Sequence, residues 1–444
     1  MKRTVIVLFI LISIMVTGCT TPVTPVSTDV PIEKPTDVST PGESGFQKSG
    51  LLRELAPSVD SSQIATLAKD NTTFAMKFYD QIRSQDGNLV YSPFSISVAL
   101  SMALAGAEGT TKTAMMDALQ LSLPVDSVYP AYDALLLAIQ ASEEQTNEGM
   151  DGNPFKLNIA NATWGQAGFT FKEPFLDTLA KYFGAGMYTV DYQQDPEAAR
   201  QAINQWIAQE TEDKITDLIP QGAINELTRL VLANAIYFNG SWLYPFSEQR
   251  TTEAPFYLLD SSQSSVEMMS LNGEHLLYGS DQSYQVVQLP YLSTDFVMTI
   301  LVPENGEFEN VEAALTADFM TSVRNNLAMQ RVDLQMPKFD FETSINANDP
   351  LAALGMGEAF DPDKADFSGM TDQERLLITD VLHKATITVD ESGTEAAAAT
   401  AVIMGVTSAM PEEPITLVID HPFMFFIEHP STGTVLFMGR VVQP

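Results

Sequence analysis

The sequence predicts an α+β fold with large sheets. Apolar residues in the first half recur at helical spacing, whereas the second half holds runs of β-branched and aromatic residues typical of strands. Long helices followed by long strands favour an α+β architecture. A chain of 444 residues would suggest two or three domains by length alone. Residues 61–444, however, contain no further linker and no repeat, so a single domain is expected there.

Three segments carry the helical signal. Residues 64–82 and 96–119 have apolar side chains at helical spacing. A third helix is predicted to begin at Asp195 as its N-cap, because Pro196 suits the first turn and Glu197 favours the positive end of the helix dipole. The apolar stripe of this helix is Ala199, Ile203, Trp206 and Ile207.

The strand signal lies almost entirely in the second half of the chain. Short runs of alternating or continuous apolar residues, many of them β-branched or aromatic, predict eight strands. They are residues 230–238, 286–289, 296–302, 331–336, 385–389, 415–419, 423–427 and 435–441.

Composition excludes several classes of function. Asp and Glu total 57 against 23 Lys and Arg, and the formal charge of -34 excludes a generic basic surface for nucleic acid. The single cysteine excludes an intramolecular disulfide and a cysteine-based zinc site. The serine-hydrolase motifs G-x-S-x-G and S-x-x-K, the metalloprotease motif H-E-x-x-H and the Walker nucleotide-binding loop are missing, and none of the four histidines pairs with another at metal-ligand spacing. We therefore expect no enzyme activity, no cofactor and no metal.

The first residues are predicted to be a targeting segment. Lys2 and Arg3 precede a short apolar run that ends in Val16-Thr17-Gly18-Cys19. The run is too short to span a bilayer and fits a signal peptide over residues 1–18 with a lipobox, after which Cys19 would carry a lipid. An ordinary signal peptide with an incidental cysteine is the alternative. The lipid signal implies a secreted protein anchored at the outer face of a prokaryotic cell envelope.

Residues 19–60 are predicted to be a tether between that anchor and the domain. Five prolines lie among many Ser and Thr residues between Thr20 and Gly50, with almost no large apolar side chains. Such a segment cannot bury enough surface to fold, and its prolines favour an extended chain.

The segment from Asp390 to Met410 allows three interpretations. Ser392 and Glu395 form a capping-box pattern before strong helix formers, which predicts a short helix. The same small residues are also typical of a low-complexity loop. At period 2, every second residue from Thr394 is small or apolar enough to face a core, which would suit an additional strand. Local chemistry does not decide among these.

Several motifs are spread over residues 61–444. They are residues 88–96 and 232–242, Leu289-Pro290-Tyr291, Leu334-Gln335-Met336-Pro337-Lys338-Phe339, the segment from Glu391 to Thr400, Asp420-His421-Pro422-Phe423 and Phe437-Met438-Gly439-Arg440-Val441. In this order they resemble the motifs of the serpin family of serine protease inhibitors. The segment from Glu391 to Thr400 resembles the family's hinge, and residues 88–96 and 232–242 resemble the segments beneath and at the top of its central sheet.

This resemblance implies a fold with three β-sheets, about nine helices and an exposed reactive-centre loop. It also implies suicide inhibition, in which a serine protease attacks the loop, forms a covalent acyl complex, and is trapped when the cleaved loop inserts as a new strand. The implied hinge comprises Glu391, Gly393, Thr394, Glu395, Ala396, Ala397, Ala398, Ala399 and Thr400. A monomer is expected, with the target protease as its partner.

Counting the family spacing from Gly393 gives Thr407-Ser408 as the reactive bond. The residues before the bond, Met404, Gly405, Val406 and Thr407, are small or aliphatic and suit an elastase-like or subtilisin-like pocket. The alternatives are a non-inhibitory serpin that acts as a binding or scaffold module, and an inhibitor of cysteine proteases by the same trap.

The resemblance also implies two control regions in the central sheet. Ser92, Ser95, Asn234 and His383 match a polar cluster that controls its opening, and Trp242 and Glu391 match positions where insertion begins. Asn71, Asn161 and Asn239 lie in N-x-[ST] sequons, a pattern that also matches often by chance.

Overall fold

The computed structural model describes residues 45–147, 155–293, 295–394 and 413–444. The described helices are α1 Ser61–Ile82, α2 Pro93–Leu104, α3 Gly109–Ala118, α4 Val125–Asn147, α5 Glu173–Thr178, α6 Pro196–Glu210, α7 Phe308–Ala313, α8 Ala317–Asn325 and α9 Asn348–Ala353. The described strands are β1 Gly45–Gln47, β2 Leu89–Tyr91, β3 Lys156–Gln166, β4 Met187–Val190, β5 Leu230–Ser241, β6 Thr252–Tyr257, β7 Gln263–Ser280, β8 Tyr284–Pro290, β9 Val297–Pro303, β10 Ala328–Pro337, β11 Phe339–Asn346, β12 Asp380–Val389, β13 Gly393–Thr394, β14 Ile415–Val418, β15 Phe423–His429 and β16 Thr434–Val441.

Seven of these strands form the central sheet, in the order β1-β4-β3-β5-β13-β12-β11. Its two long middle strands, β5 and β12, run parallel and pair directly from Asp380↔Val231 to Ala385↔Ile236. The two-residue strand β13 lies between them at the end where β5 finishes. The central sheet therefore already holds a short strand at the point where the hinge was predicted.

The other nine described strands form one second sheet, in the order β14-β10-β7-β8-β9-β15-β16-β2, with β6 paired to β7. Three sheets were expected, but the 18-residue strand β7 joins two groups of strands. Most of its length pairs with β6 and β10, and residues Leu277 to Ser280 also pair with β8. The α+β class and the nine helices expected among the described residues are confirmed.

Helix α2 fills the space between the two sheets. All 12 of its residues are buried, and it contacts β3, β5 and β16. Helix α6 contacts β3 and β5 through a separate apolar cluster that includes Ile203 and Val231. Alternation along β5 explains this division, because Leu230 and Leu232 belong to the α2 side and Val231 to the α6 side.

The second sheet joins the two ends of the domain. Strand β2 pairs with β16, with Met438 opposite Tyr91. Arg440 on β16 donates to the carbonyl oxygens of Arg83 at 2.7 Å and Gly87 at 3.0 Å, and forms a buried ion pair with Glu312 at 2.9 Å. The turn between α1 and β2 is thus held by a side chain from the other end of the sequence.

One helix prediction was wrong. Residues 96–119 were expected to continue as one helix, but the chain breaks between α2 and α3. Gly106 packs so closely on Met370 that an added Cβ would lie 2.1 Å from the side chain, and the Glu108 amide donates to Asp366 O at 2.9 Å. Tertiary packing therefore overrides the helical pattern here.

The other predicted elements are confirmed, whereas helix α4 and strands β7 and β11 were not predicted. All eight predicted strands overlap observed ones, and the Asp195 side chain caps α6 by accepting from the Ala198 amide at 2.9 Å. The 11-residue strand β3 in the largely helical first half was missed, because its sequence contains Asn and Gly, which are depleted in strands. No helix in the described ranges is both long and apolar enough to cross a bilayer.

Candidate functional site

The hinge begins with a tight turn between β12 and β13. The Asp390 carboxylate accepts from the amides of Ser392 at 2.8 Å and Gly393 at 3.1 Å, and the Asp390 amide donates to Gly393 O at 3.0 Å. This turn reverses the chain, so that Gly393 pairs with Ser241 and Thr394 with Gly240. The structure therefore excludes a helix at Gly393 and Thr394 and supports the strand interpretation for these two residues.

Thr394 is seated in a polar niche of an otherwise aromatic site. It is 1% exposed, and its hydroxyl shares a hydrogen bond of 2.8 Å with that of Tyr291. The Tyr291 ring stacks on Trp242 at 4.6 Å, and the Trp242 indole donates to Asp390 O at 3.0 Å. Gly240 leaves room for this arrangement, because a Cβ there would lie 2.9 Å from the Tyr291 ring.

Glu391 is the charged anchor of the hinge. It is 7% exposed and accepts from Lys338 Nζ at 3.0 Å and from the Thr251 hydroxyl at 2.5 Å. Burial alone would raise the pKa of Glu391, but these two donors outweigh it and hold the pKa below its usual value. The position two residues before Gly393 is thus fixed by charge as well as by packing.

Below the hinge, β5 and β12 form a wedge. Their direct pairing ends at Ala385↔Ile236, whereas Thr394 lies opposite Gly240 on one strand and Val389 on the other. In the described part of the chain, β5 and β12 make no direct pair in the rows between these levels. The two strands are already parted at one end and closed at the centre.

A polar row closes the centre of the sheet. Asn161 on β3, Asn234 on β5 and His383 on β12 lie opposite one another in register. The Asn234 amide donates to Ser95 Oγ at 2.6 Å and to Asn161 Oδ1, and Asn234 Oδ1 is hydrogen-bonded to His383 Nδ1. The His383 ring therefore joins two strands that must separate if a new strand is to enter.

Helix α2 supports this polar row from beneath. The Ser92 amide donates to His383 Nε2 at 3.0 Å, and the Ser92 hydroxyl donates to Leu436 O at 2.6 Å. Because an amide can only donate, Nε2 must be the acceptor, and the ring proton then lies on Nδ1 and points to Asn234. Burial lowers the pKa of His383 to about 3, which keeps the ring neutral in this tautomer.

Sequence reasoning found four of the five members of this cluster. It brought together Ser92, Ser95, Asn234 and His383, but it noted Asn161 only as part of a sequon. In the structure Asn161 accepts from Ser95 Oγ at 3.1 Å and donates to Ser95 O at 3.2 Å. Only the register of β3 against β5 reveals this role.

The other predicted site residues lie outside the described residues. They are Cys19, Glu395, Ala396, Ala397, Ala398, Ala399, Thr400, Met404, Gly405, Val406, Thr407 and Ser408. The reactive bond, the specificity residues and the lipidated cysteine therefore stay predictions. Across the described ranges, no group of three or more His, Cys, Asp and Glu side chains could hold a metal ion.

Comparison with known proteins agrees with this geometry. Residues 69–444 match the serpin (serine protease inhibitor) family. The chain is 37% identical over 388 residues to leukocyte elastase inhibitor A of Rattus norvegicus, covering 85% of this chain and 99% of that protein. It is also 37% identical over 373 residues to an uncharacterized serpin-like protein of Thermococcus kodakarensis, covering 84% of each.

A solved structure supports the same conclusion. The native state of tengpin, a thermophilic serpin, superposes with a TM-score of 0.76 at 26% identity, covering 90% of this chain and 98% of that one. The family match, the relatives and the short strand seated between β5 and β12 agree, and the chain belongs to the serpin family.

Proposed function

We propose that this serpin is a suicide-substrate inhibitor of serine proteases that is cleaved at Thr407-Ser408. The observation that carries the proposal is the seating of Gly393 and Thr394 between β5 and β12. An inhibitor of this kind must admit its cleaved loop as a full strand between two existing strands. Here the first two residues of that strand already occupy their places.

The register of the hinge indicates where the rest of the loop would go. Thr394 lies opposite Gly240 on β5 and Val389 on β12. Six residues further along an antiparallel strand, Thr400 would lie opposite Asn234 on one side and His383 on the other. Two independent registers therefore converge on the polar row, since Asn234 and His383 are themselves in register.

Thr400 has the chemistry to replace the bond that it would break. Entry of the strand separates His383 Nδ1 from Asn234 Oδ1. A threonine hydroxyl has one donor and two acceptor sites, so it can accept from His383 Nδ1 and donate to Asn234 Oδ1. The buried polar groups would then remain paired, and no unsatisfied group would oppose insertion.

The proposed reaction is interrupted acyl transfer. The protease's serine oxygen would attack the carbonyl carbon of Thr407, and the bond to the nitrogen of Ser408 would break, leaving an ester between enzyme and loop. The new strand would pair antiparallel with both β5 and β12, replacing a parallel pairing that is slightly less stable per residue. This gain would drive insertion before water cleaves the ester.

The target is proposed to be an elastase-like or subtilisin-like protease. Support comes from the small and aliphatic residues Met404, Gly405, Val406 and Thr407, which suit a shallow apolar pocket. The rat relative's name, leukocyte elastase inhibitor A, points to the same class of protease. We further propose that Cys19 carries a lipid and holds the inhibitor at the outer face of a prokaryotic cell envelope.

The test combines three proteases with two hinge variants. The chain from Thr20 onward is mixed with an elastase-type, a subtilisin-type and a trypsin-type enzyme, and the products are analysed by denaturing gel and mass spectrometry. We expect an SDS-stable complex and a released peptide that begins at Ser408 with the first two enzymes. Residues 392–411 contain no Lys or Arg, so we expect no complex with the trypsin-type enzyme.

The hinge variants separate inhibition from simple cleavage. Thr394→Arg places a long cation in a position that is 1% exposed and should convert the inhibitor into a substrate. Thr394→Ser keeps the hydroxyl that meets Tyr291 and serves as the matched control. If the serine proteases cleave the unmodified chain and none of them forms a complex with it, the result contradicts the proposal and favours a binding or scaffold role.

A further inference from the structure

Residues 45–54, which fall within the predicted tether and are here called the edge strap, begin as the outermost strand of the central sheet and then continue onto helices α5 and α4. Strand β1 pairs antiparallel with β4, with Gly45 opposite Thr189 and Gln47 opposite Met187. The Gly45 amide donates to Thr189 Oγ1 at 3.0 Å, and the Gln47 side chain donates to Phe169 O at 2.8 Å. The edge strap is therefore bonded to the sheet on both sides of Phe46.

The edge strap also fits the surface beneath it. A Cβ at Gly186 would lie 2.6 Å from Gln47 O, so only glycine admits the strap backbone there. Further along, Arg53 forms an ion pair of 2.8 Å with Asp133, whose side chain is fully buried. The strap precedes residue 69, where the match to the serpin family begins. It fixes the point at which the preceding chain meets the domain.

The direction of β1 identifies that point. Gly45 lies opposite Thr189, Thr189 opposite Gly165, and Gly165 opposite Leu230, the first residue of β5. The hinge lies at the other end of β5, where Gly393 is opposite Ser241. Eleven residue steps separate the two ends of β5, which is about 36 Å at ~3.3 Å per residue.

We infer that the anchoring tether joins the domain at the pole opposite the hinge, so that trapping carries the protease towards the membrane. This inference rests on the proposed function, including the lipid on Cys19. Before attack, the reactive bond would face away from the membrane and be open to proteases in the surroundings. After insertion, the captured protease would lie at the tether's pole.

The register gives the final position of the protease. Continuing from Thr394 opposite Gly240, Met404 would reach the row of Leu230, which is also the row of Gly45. Thr407 would then lie three residues beyond that row, about 10 Å past the tether's junction at ~3.3 Å per residue. The protease bonded to Thr407 would therefore occupy the space between domain and membrane.

The length of the tether limits whether a trapped protease fits between the domain and the membrane. A protease of roughly 230 residues has a radius of gyration near 17 Å, and so a diameter of about 45 Å if spherical. The 26 residue steps from Cys19 to Gly45 can reach at most about 90 Å. The natural tether is thus long enough to accommodate a trapped protease, whereas a tether shorter than about 45 Å is not.

The test uses the single thiol of the chain. Cys19 is the only cysteine, so the chain from Cys19 onward can be coupled to a maleimide lipid in neutral vesicles. A second form lacks residues 22–36, which leaves at most about 40 Å of tether. Both forms are assayed coupled and uncoupled for the rate of loop cleavage and for the fraction of cleaved chain that ends in the covalent complex.

We expect only the coupled short form to change. Its loop should be cleaved at the normal rate, whereas the fraction in the complex should fall several-fold. A slower cleavage with a normal complex fraction would place the tether at the hinge pole and overturn the inference, and so would the absence of any change. If the uncoupled forms yield no complex at all, the proposed inhibition fails instead.

Tryptophan fluorescence tests, without a protease, which end of the domain lies nearer the membrane. Trp242 lies at the hinge pole, whereas Trp164 is in register with Val231 near the other end of β5 and contacts Trp206. With a dansyl lipid in the vesicle, energy transfer in the coupled short form should come from Trp164 and Trp206. Trp242→Phe should leave that transfer unchanged, and a large loss of transfer would overturn the inference.

Discussion

His383→Gln should flatten the acid dependence of stability. Burial lowers the pKa of His383 to about 3 in the folded chain, whereas an unfolded histidine titrates near ~6.5. Between these values the unfolded state binds one more proton, so the free energy of unfolding falls as the pH drops below ~6.5, and the contribution is complete above it. At about pH 5 this single group should cost about 2 kcal/mol relative to neutral pH.

The measurement compares three proteins by denaturant unfolding near neutral pH and at about pH 5. Glutamine can still donate to Asn234 and accept from Ser92, so His383→Gln keeps the hydrogen bonds without the titration. The exposed His275→Gln is the matched control. Burial also lowers the pKa of His429, which remains in all three proteins as a constant background. An equal loss of stability in acid for the wild type and His383→Gln would refute the neutral, buried ring.

Three further predictions concern the cap, the hinge and the edge strap. Asp195→Ala should lower the free energy of unfolding by about 0.5–2 kcal/mol, because the N-cap of α6 is lost, and should leave complex formation unchanged. Glu391→Ala should lower it by about 1.5–3 kcal/mol, because Lys338 loses a charge-assisted partner, whereas Glu391→Gln should cost less in the same unfolding measurement. Gly186→Ala should displace the edge strap through its clash with Gln47 O, which faster amide exchange in residues 45–54 would report; unchanged exchange would contradict the close fit.

Eight of the strands and the N-cap of α6 could be predicted from sequence because their signals are local. Asp195 caps a helix through an amide three residues away, and the eight predicted strands carry their own alternation. The break at Gly106 could not be predicted in this way, because its cause is Met370, which lies far away in the chain. A helical pattern in the sequence does not show which distant side chain will pack against that segment.

In the candidate site, too, local features could be predicted from sequence and features that depend on distant residues could not. The small residues after Gly393 allowed a strand, but only the register with Gly240 and Val389 shows where that strand begins. Asn161 remained hidden because its role depends on lying opposite Asn234, which no local pattern encodes. Asp390, which forms the hinge turn, was likewise recognised only from its bonds to the amides that follow it.

The pairing of β2 with β16 has a consequence for the order in which the protein can be made. Tyr91 and Met438 are 347 residues apart, so a ribosome that adds roughly 5–20 residues per second needs about 17–70 s between them. Throughout that time the turn after α1 lacks Arg440, and the edge of β2 lacks its neighbour. The apolar surface of the N-terminal segment therefore stays uncovered for nearly the whole of translation. Its early helices would be the natural client of a chaperone that holds unfinished chains.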